Sequence, residues 1–171
     1  NTEKITINIL NREKGDEYWK KRQQRGRLYN FQNIIENCAG KYIALLDGDD
    51  YWNDELKLQK QFDFMQAHSN CSVCFTSALF FNESDEKKSF TYYPRGISEN
   101  KVFTLSQAIY KSGDLMPTAS ILFRQKFVSE IPDWVFTSPV GDMPLSLFLG
   151  TKGDYGYLSD VTAVYRVQAA G

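Results

Sequence analysis

The sequence predicts an α/β fold in which a mixed, mostly parallel sheet is flanked by helices. Short apolar runs, which suit buried strands, alternate along the chain with segments whose apolar residues recur at helical spacing. The length of 171 residues suffices for about one domain. We therefore expect residues 1–171 to belong to a single domain, either as a whole or as part of one.

The first half of the chain is predicted to begin with a strand. Isoleucines alternate with other residues between Ile5 and Leu10, which indicates a strand with at least one buried face. The other elements expected before residue 101 are a helix at 17–24, a helix at 28–38, a buried strand at 42–46, a helix that starts at Asn53 or Asp54, a buried strand at 71–81 and a polar excursion at 82–100.

The helix that follows Asn53 is predicted to be amphipathic. Leu58, Phe62 and Met65 are spaced to share its buried face. Lys57 and Gln61 are expected to lie on its solvated face.

The second half of the chain is predicted to alternate short helices and strands. Thr104 or Ser106 can cap one helix, and Gly150 is placed to end another. The elements expected here are a helix at 104–110, a strand at 119–123, a helix at 124–130, a helix at 145–149 and two closing strands at 155–158 and 161–167.

The strongest functional signal is the segment from Lys41 to Trp52, which reads KYIALLDGDDYW. An apolar strand delivers Asp47, Asp49 and Asp50 to its C-terminal end, where ligands bind in open α/β sheets. Like charges this close favour a counter-cation, and their all-oxygen character favours Mg²⁺ or Mn²⁺ over Zn²⁺. The alternative is an acidic turn in which an aspartate caps the next helix.

Composition and charge set limits on the partners and the location. A net charge of -1 and a pI of about 5.9 give no electrostatic basis for binding nucleic acid. Basic residues gather between Lys14 and Arg27, which is typical of a solvated helix face, with contact to phosphate or to an anionic membrane surface as the alternative. No apolar run reaches the roughly 18 residues of a spanning helix.

The three cysteines, Cys38, Cys71 and Cys74, indicate a reducing compartment. Their odd number and the apolar surroundings of two of them are typical of reduced thiols in a cytoplasmic protein. Cys71 and Cys74 have C-x-x-C spacing, but a second ligand pair for zinc is missing from the sequence. We expect a cytoplasmic protein, either free or held peripherally at the inner face of the membrane.

One further acid, Asp142, lies at the predicted start of an apolar helix. By default such a carboxylate caps the helix, and it can act as a general base if the fold brings it over the crevice. The spacing in the sequence does not choose between these roles.

Taken in order, KYIALLDGDDYW, KLQKQ, GDMPL and VYRVQ resemble the GT-A glycosyltransferases of family 2. The resemblance implies the Rossmann-like GT-A fold and metal-assisted transfer of a sugar, with inversion, from a nucleotide-diphosphate donor to a hydroxyl acceptor. By position it implies that Asp49 binds the metal, that Asp47 reaches toward the nucleotide and that Asp50 supports the donor sugar. Asp142 resembles the catalytic base. Trp52 can stack on a sugar face, with core packing as its alternative role.

The chain departs from the family pattern in two places. Family members commonly carry Tyr-Arg-x-His near this end, where the His binds the metal; here Gln168 follows Val167 instead, and its amide oxygen is the candidate ligand. The family also opens with a strand, a helix and an acidic strand that hold the nucleotide, and the chain begins past them. Because an incomplete sheet exposes a strand edge, we expect a missing N-terminal segment or a homo-oligomeric partner.

The working hypothesis is a non-processive hexosyltransferase domain, comprising the D-x-D and acceptor side, in cell-surface polysaccharide or lipopolysaccharide synthesis. Its expected partners are a nucleotide-sugar donor and a glycan or lipid-linked acceptor. One alternative is a degenerate, non-catalytic module that binds sugar or nucleotide. A D-x-D phosphatase is less favoured, because Tyr51 stands where its pattern wants Thr or Val.

Overall fold

The computed structural model describes residues 6–10, 12–110 and 116–167. Within them, seven strands form one mixed sheet flanked by helices. The strands are β1 (Tyr42–Ala44), β2 (Tyr51–Trp52), β3 (Cys71–Asn82), β4 (Phe90–Tyr92), β5 (Lys101–Phe103), β6 (Leu122–Arg124) and β7 (Asp154–Val167). The α-helices are α1 (Glu17–Arg25), α2 (Tyr29–Glu36), α3 (Lys57–Ala67), α4 (Leu105–Ile109), α5 (Asp133–Thr137) and α6 (Asp142–Gly150).

The strand order is β1-β6-β3-β7-β2, with β4 added to β3 and β5 added to β7. The long strands β3 and β7 run parallel, while every other pairing between described strands is antiparallel. The mixed sheet is therefore confirmed, but the expected predominance of parallel pairs is wrong. Among these pairs, β3 and β4 are consecutive in the chain and are joined by the short connection that antiparallel pairing allows.

Strand β7 replaces the two closing strands that the sequence predicts. Its pairing with β3 jumps from Thr76 opposite Leu158 to Ser77 opposite Val161. Ser159 and Asp160 are therefore absorbed as an irregularity within one strand instead of forming a turn. Such extra residues bend a strand and increase its twist, which helps the far half of β7 to reach β2.

The main core lies between the sheet and helices α2, α5 and α6, so it fixes where α6 begins relative to the end of β1. Full burial of a large apolar side chain contributes about 1.5–3 kcal/mol. The fully or almost fully buried residues of this core include Ile35, Ile43, Val73, Phe75, Phe123, Val135, Leu145, Leu149, Tyr155 and Tyr157.

Helix α3 buries Met65, as predicted, but Leu58 and Phe62 do not share its buried face. Lys57 and Gln61 are 1% and 0% exposed, whereas Leu58 and Phe62 are 42% and 40% exposed. The Gln61 amide donates hydrogen bonds to the carbonyl oxygens of Cys74 and Ser120. Gln61 thus ties α3 to β3 and to the segment before β6, an anchoring that apolar periodicity does not reveal.

The N-terminal strand prediction is wrong for the residues that the structure describes. Residues 6–10 form no regular element, and Ile7 and Ile9 are 81% and 77% exposed. The predicted strand at 42–46 shortens to β1, which lies at one end of the sheet and pairs with β6 alone among the described strands.

The cysteines are reduced in the structure, in line with their interpretation as free thiols. All three are free thiols, and Cys71 and Cys74 are buried in β3. Burial raises the pKa of Cys71 to about 11 and that of Cys74 to about 12, so both are protonated at neutral pH. In the described part of the chain, no helix has the length and apolar character to cross a membrane.

Candidate active site

A tight turn between β1 and β2 gathers the three acids of the DGDD motif. The backbone N–H of Asp50 donates to the carbonyl oxygen of Asp47 at 3.1 Å, which closes a four-residue turn. The chain then enters β2, where Tyr51 pairs with Val164 of β7. The motif therefore bridges the end of β1 and the far half of β7.

The carboxyl group of Asp50 is buried and held on one side only. Its Oδ1 accepts a hydrogen bond from the backbone N–H of Arg166 at 3.0 Å, while its Oδ2 is buried without a hydrogen-bond partner. Burial is the largest cause that raises the pKa of Asp50, and the charges of Asp49 and Asp47 raise it further against the opposing Arg166 contacts.

Asp47 links the turn to Asp142. Loss of water around its carboxyl raises its pKa first, followed by the charges of Asp49 and Asp142. The charge of Asp142 is thus close enough to act on Asp47, although the two residues are far apart in sequence. The fold brings the D-x-D acids and the candidate base into one electrostatic site.

Asp142 is the first residue of α6 and its carboxylate is held at both oxygens. Oδ1 accepts from the backbone N–H of Met143 at 2.8 Å, and Oδ2 accepts from the Thr118 hydroxyl at 3.2 Å. Gly141, the residue before it, packs closely against the Phe31 ring. A Cβ atom at position 141 would lie only 3.0 Å from that ring, so a larger residue would crowd it. Asp142 remains exposed to solvent.

A cavity of about 320 Å³ joins these residues. Asp47 lies on its wall from the turn after β1, Asp142 from the start of α6 and Thr118 from the segment before β6. Arg27 is the cationic side chain among the described residues of this wall, and its guanidinium also donates to the carbonyl oxygen of Pro139. An apolar wall of Leu28, Phe31 and Val140 completes it.

Trp52 has a packing role in the structure. Its indole N–H donates to the carbonyl oxygen of Ala119 at 2.9 Å, and the ring packs against the buried Ala78 and Ala163. Trp52 is not among the described residues that line the cavity shared by Asp47 and Asp142. The core role left open by the sequence is therefore the one that these contacts support.

The carboxylate oxygens of the DGDD turn suit a hard cation, although they do not surround it with a complete set of ligands. The orphaned oxygen of Asp50 and the mutual repulsion of the carboxylates both favour a bound cation. Within the described residues, however, no group of three or more His, Cys, Asp or Glu side chains is arranged to hold a metal ion. Mg²⁺ is commonly held by one or two carboxylates together with substrate phosphates. Gln168, the other predicted ligand, lies outside the described residues.

Sequence reasoning missed three residues of this site. Thr118 contacts Asp142, Arg27 lines the cavity, and Arg166 contacts both Asp50 and the Asp49 carbonyl. Arg166 lies in the VYRVQ segment, so the resemblance offered a signal for it. Thr118 and Arg27 carry no such signal, because only the folded chain brings them to the acids.

A mixed sheet in which a D-x-D turn follows the first described strand, with a further acid at the start of α6, is the arrangement expected of a GT-A-type glycosyltransferase domain. The model of the family described as Glycosyl transferase family 2 matches residues 1–131. The chain belongs to this family, which also argues against the phosphatase alternative.

The comparison with solved structures gives the same fold. The structure is similar to the crystal structure of S. aureus TarS, with a TM-score of 0.51 and 16% sequence identity. The match covers 80% of this chain and 24% of the TarS chain, so this chain spans about a quarter of the length of that protein. At this identity the likeness shows the fold alone, and it confirms the predicted GT-A fold. No curated protein sequence matches the chain significantly.

Proposed function

We propose that the chain transfers a sugar from a nucleotide-diphosphate donor to a hydroxyl group of an acceptor, with inversion. The observation that carries the proposal is the single cavity lined by both Asp47, from the D-x-D turn, and Asp142. A site of this kind has an acidic end that suits a metal-bound diphosphate and a separate carboxylate that can accept a proton.

Asp142 is the proposed general base. Its exposed carboxylate can take the proton from the acceptor hydroxyl as the oxygen attacks the anomeric carbon and the bond to the diphosphate breaks. One base and one leaving group on opposite sides of the sugar give a single displacement, hence inversion. Thr118 and the Met143 N–H hold both carboxylate oxygens of Asp142 and so fix its orientation.

Asp49 is the proposed metal ligand, with Asp47 on the nucleotide side, Asp50 in support and Gln168 as an additional candidate. A bound Mn²⁺ or Mg²⁺ would neutralise the charge that grows on the departing diphosphate. Asp50 contributes a buried negative charge beside this position, and its contact with the Arg166 backbone fixes the turn against β7.

The test is a sugar-nucleotide hydrolysis assay with Mn²⁺, run over a panel of nucleotide-diphosphate sugars. We expect Asp142→Asn to lower turnover by about 10²–10⁴-fold, the usual contribution of a general base, and Asp49→Ala to lower it and weaken the Mn²⁺ dependence. Asp63→Asn is the matched control, because Asp63 is an exposed acid on α3 that contacts Gln59. Equal turnover in wild type, Asp49→Ala and Asp142→Asn would refute the assignments.

The proposal extends to the cellular location, the pathway and the acceptor of the enzyme. Residues 1–171 would act as one cytoplasmic, non-processive hexosyltransferase domain of cell-surface polysaccharide or lipopolysaccharide synthesis, on a glycan or lipid-linked acceptor. Peripheral membrane attachment through the basic stretch at 14–27 belongs to the same proposal. A vesicle-flotation assay with anionic and neutral lipids tests it, since binding to both or to neither would contradict a charge-driven attachment.

A degenerate binding module is the second candidate, favoured by the lack of a three-acid metal group in the described residues. Isothermal titration with a panel of nucleotides, with and without Mn²⁺, separates the two. Metal-dependent binding supports the transferase, and silence across the panel favours the module.

A further inference from the structure

Three aromatic side chains stand side by side on one face of the sheet: Phe90 on β4, Phe80 on β3 and Tyr165 on β7. Phe80 pairs with Phe90 on one side and with Tyr165 on the other, and directly paired residues share a face. The ring centroids of Phe80 and Phe90 are 5.1 Å apart, and those of Phe80 and Tyr165 are 4.9 Å apart. We call these three residues the aromatic row.

The aromatic row is open to solvent at both ends. Phe90 is 54% exposed and Tyr165 is 38% exposed, whereas Phe80 between them is partly buried against the alanine cluster that includes Ala163. Core packing therefore anchors the middle of the row and leaves the outer rings accessible. The three rings therefore form one continuous aromatic surface whose two outer members can contact a ligand.

One end of the aromatic row meets the acids. Tyr165 precedes Arg166, whose backbone N–H donates to Asp50 at 3.0 Å. Beyond the effect of burial, the charges of Asp50, Asp49, Asp47 and Asp142 each raise the pKa of Tyr165, so its hydroxyl lies within the field of the whole acid cluster. From there the row leads away across β3 to β4.

We infer that the aromatic row binds the acceptor glycan, with its sugar rings stacked along the row and its terminal hydroxyl near Asp142. This inference rests on the proposed function. The C–H-rich faces of sugar rings carry slight positive charge and pack on the negative faces of aromatic rings. The Tyr165 hydroxyl supplies a hydrogen-bonding group at one end of the row, which suits sugar hydroxyls better than a lipid chain.

The test is binding of the labelled 171-residue chain to a printed glycan array. Phe90→Ala should lower binding to the glycans that wild type recognises by at least tenfold, and Phe90→Tyr, which keeps the ring, should retain it. Phe90→Leu keeps apolar bulk without a flat ring and should behave like Phe90→Ala. Trp134→Ala is the matched control, because Trp134 is a 48% exposed aromatic on α5, and it should bind as wild type does.

Several outcomes would overturn the aromatic row as a glycan site. They are wild type that binds no glycan on the array, and Phe90→Ala or Phe90→Leu that binds as wild type does. Thermal melts identify a variant that has merely unfolded, in which case Phe90→Leu decides. Nucleotide titration of wild type with Mn²⁺ reports on the proposed transferase separately, because the donor site can fail while glycan binding still depends on Phe90.

Discussion

Asp50 combines a buried position with a carboxylate that has a hydrogen-bond partner at one oxygen only, so its proposed role beside the cation would be at the expense of stability. One oxygen accepts from Arg166, while the other is buried without a partner. Residues arranged for ligand binding often lower stability, so their replacement can stabilise the fold. The uncompensated charge is what a bound cation would relieve.

We predict that Asp50→Asn raises stability at pH 7 by about 1 kcal/mol, or about 2–4 °C in Tm for a chain of this size. The amide oxygen can still accept from Arg166, and the buried charge is gone. Because the pKa of folded Asp50 lies above its ordinary 3.8, the wild type loses stability as the pH rises from that value through the folded pKa. The advantage of the variant should therefore be small near pH 3.8 and grow toward neutrality in thermal melts. A variant less stable than wild type at pH 7 would contradict this.

Thr118 is predicted to position Asp142. Its hydroxyl donates to Oδ2 of Asp142 at 3.2 Å, and loss of one such bond to an exposed carboxylate costs about 1 kcal/mol, equivalent to about fivefold in rate. Thr118→Val should thus lower the turnover of acceptor glycosylation about fivefold with little change in the KM for the donor, and Thr118→Ser should restore it. A purely structural role for Thr118 would instead leave turnover unchanged or lower Thr118→Ser activity equally.

The sequence could single out candidate acids because most of them lie in one short segment. Asp47, Asp49 and Asp50 share one short motif, and the resemblance added Asp142. Thr118 and Arg27 could not be found in this way, since each reaches the site only through tertiary contacts. Whether Asp142 lies near the D-x-D turn was also undetermined until the fold placed α6 over the end of β1.

Among the elements, α3 shows why periodicity can select the wrong face of a correctly predicted helix. The predicted stripe is Leu58, Phe62 and Met65. The helix does bury Met65, but in place of Leu58 and Phe62 it buries Lys57 and Gln61, each one position earlier. The Lys57 ammonium lies 4.7 Å from the centroid of the Trp52 ring and donates to Gln61 Oε1 at 2.6 Å. A long side chain with an apolar stem and local partners can be buried, and no sequence pattern identifies those partners.

We predict a stability signature for this buried ammonium. Burial lowers the pKa of Lys57 from 10.5 to about 8, so the folded chain loses this proton before the unfolded chain does. The stability of wild type relative to Lys57→Met should then rise between about pH 8 and pH 10.5, by up to about 3 kcal/mol. Urea denaturation at pH 7.5 and pH 10 with reductant present measures the difference.

Lys60→Met is the matched control on the same helix. Lys60 pairs with Asp160 at 2.6 Å and with Asp54 at 2.8 Å, and both raise its pKa. Its contribution is complete below the ordinary pKa of 10.5 and falls only as the pH rises through the higher folded value. A difference between wild type and Lys57→Met that stays flat over this range would show that the ammonium is hydrated.

In the whole molecule, two features remain unpartnered among the described residues, namely the exposed isoleucines of segment 6–10 and the outer edge of β1. Residues 6–10 pass through solvent without pairing, and β1 has a partner strand on one side alone within the described residues. Exposed large aliphatic side chains and an unpaired strand edge both favour association with another chain.

We therefore predict that the isolated chain self-associates in a concentration-dependent manner and that Ile7 and Ile9 take part in the contact. Ile7 and Ile9 are 81% and 77% exposed, and burial of each at a contact would contribute about 1.5–3 kcal/mol. The double variant Ile7→Lys with Ile9→Lys should weaken dimerisation by at least tenfold in sedimentation velocity. Leu56→Lys is the control, because Leu56 is 59% exposed just before α3, and it should associate as wild type does. Wild type that stays monomeric at all concentrations and unfolds in one cooperative step would refute the need for a partner. The fold would then be stable on its own, despite the exposed isoleucines and the open edge of β1.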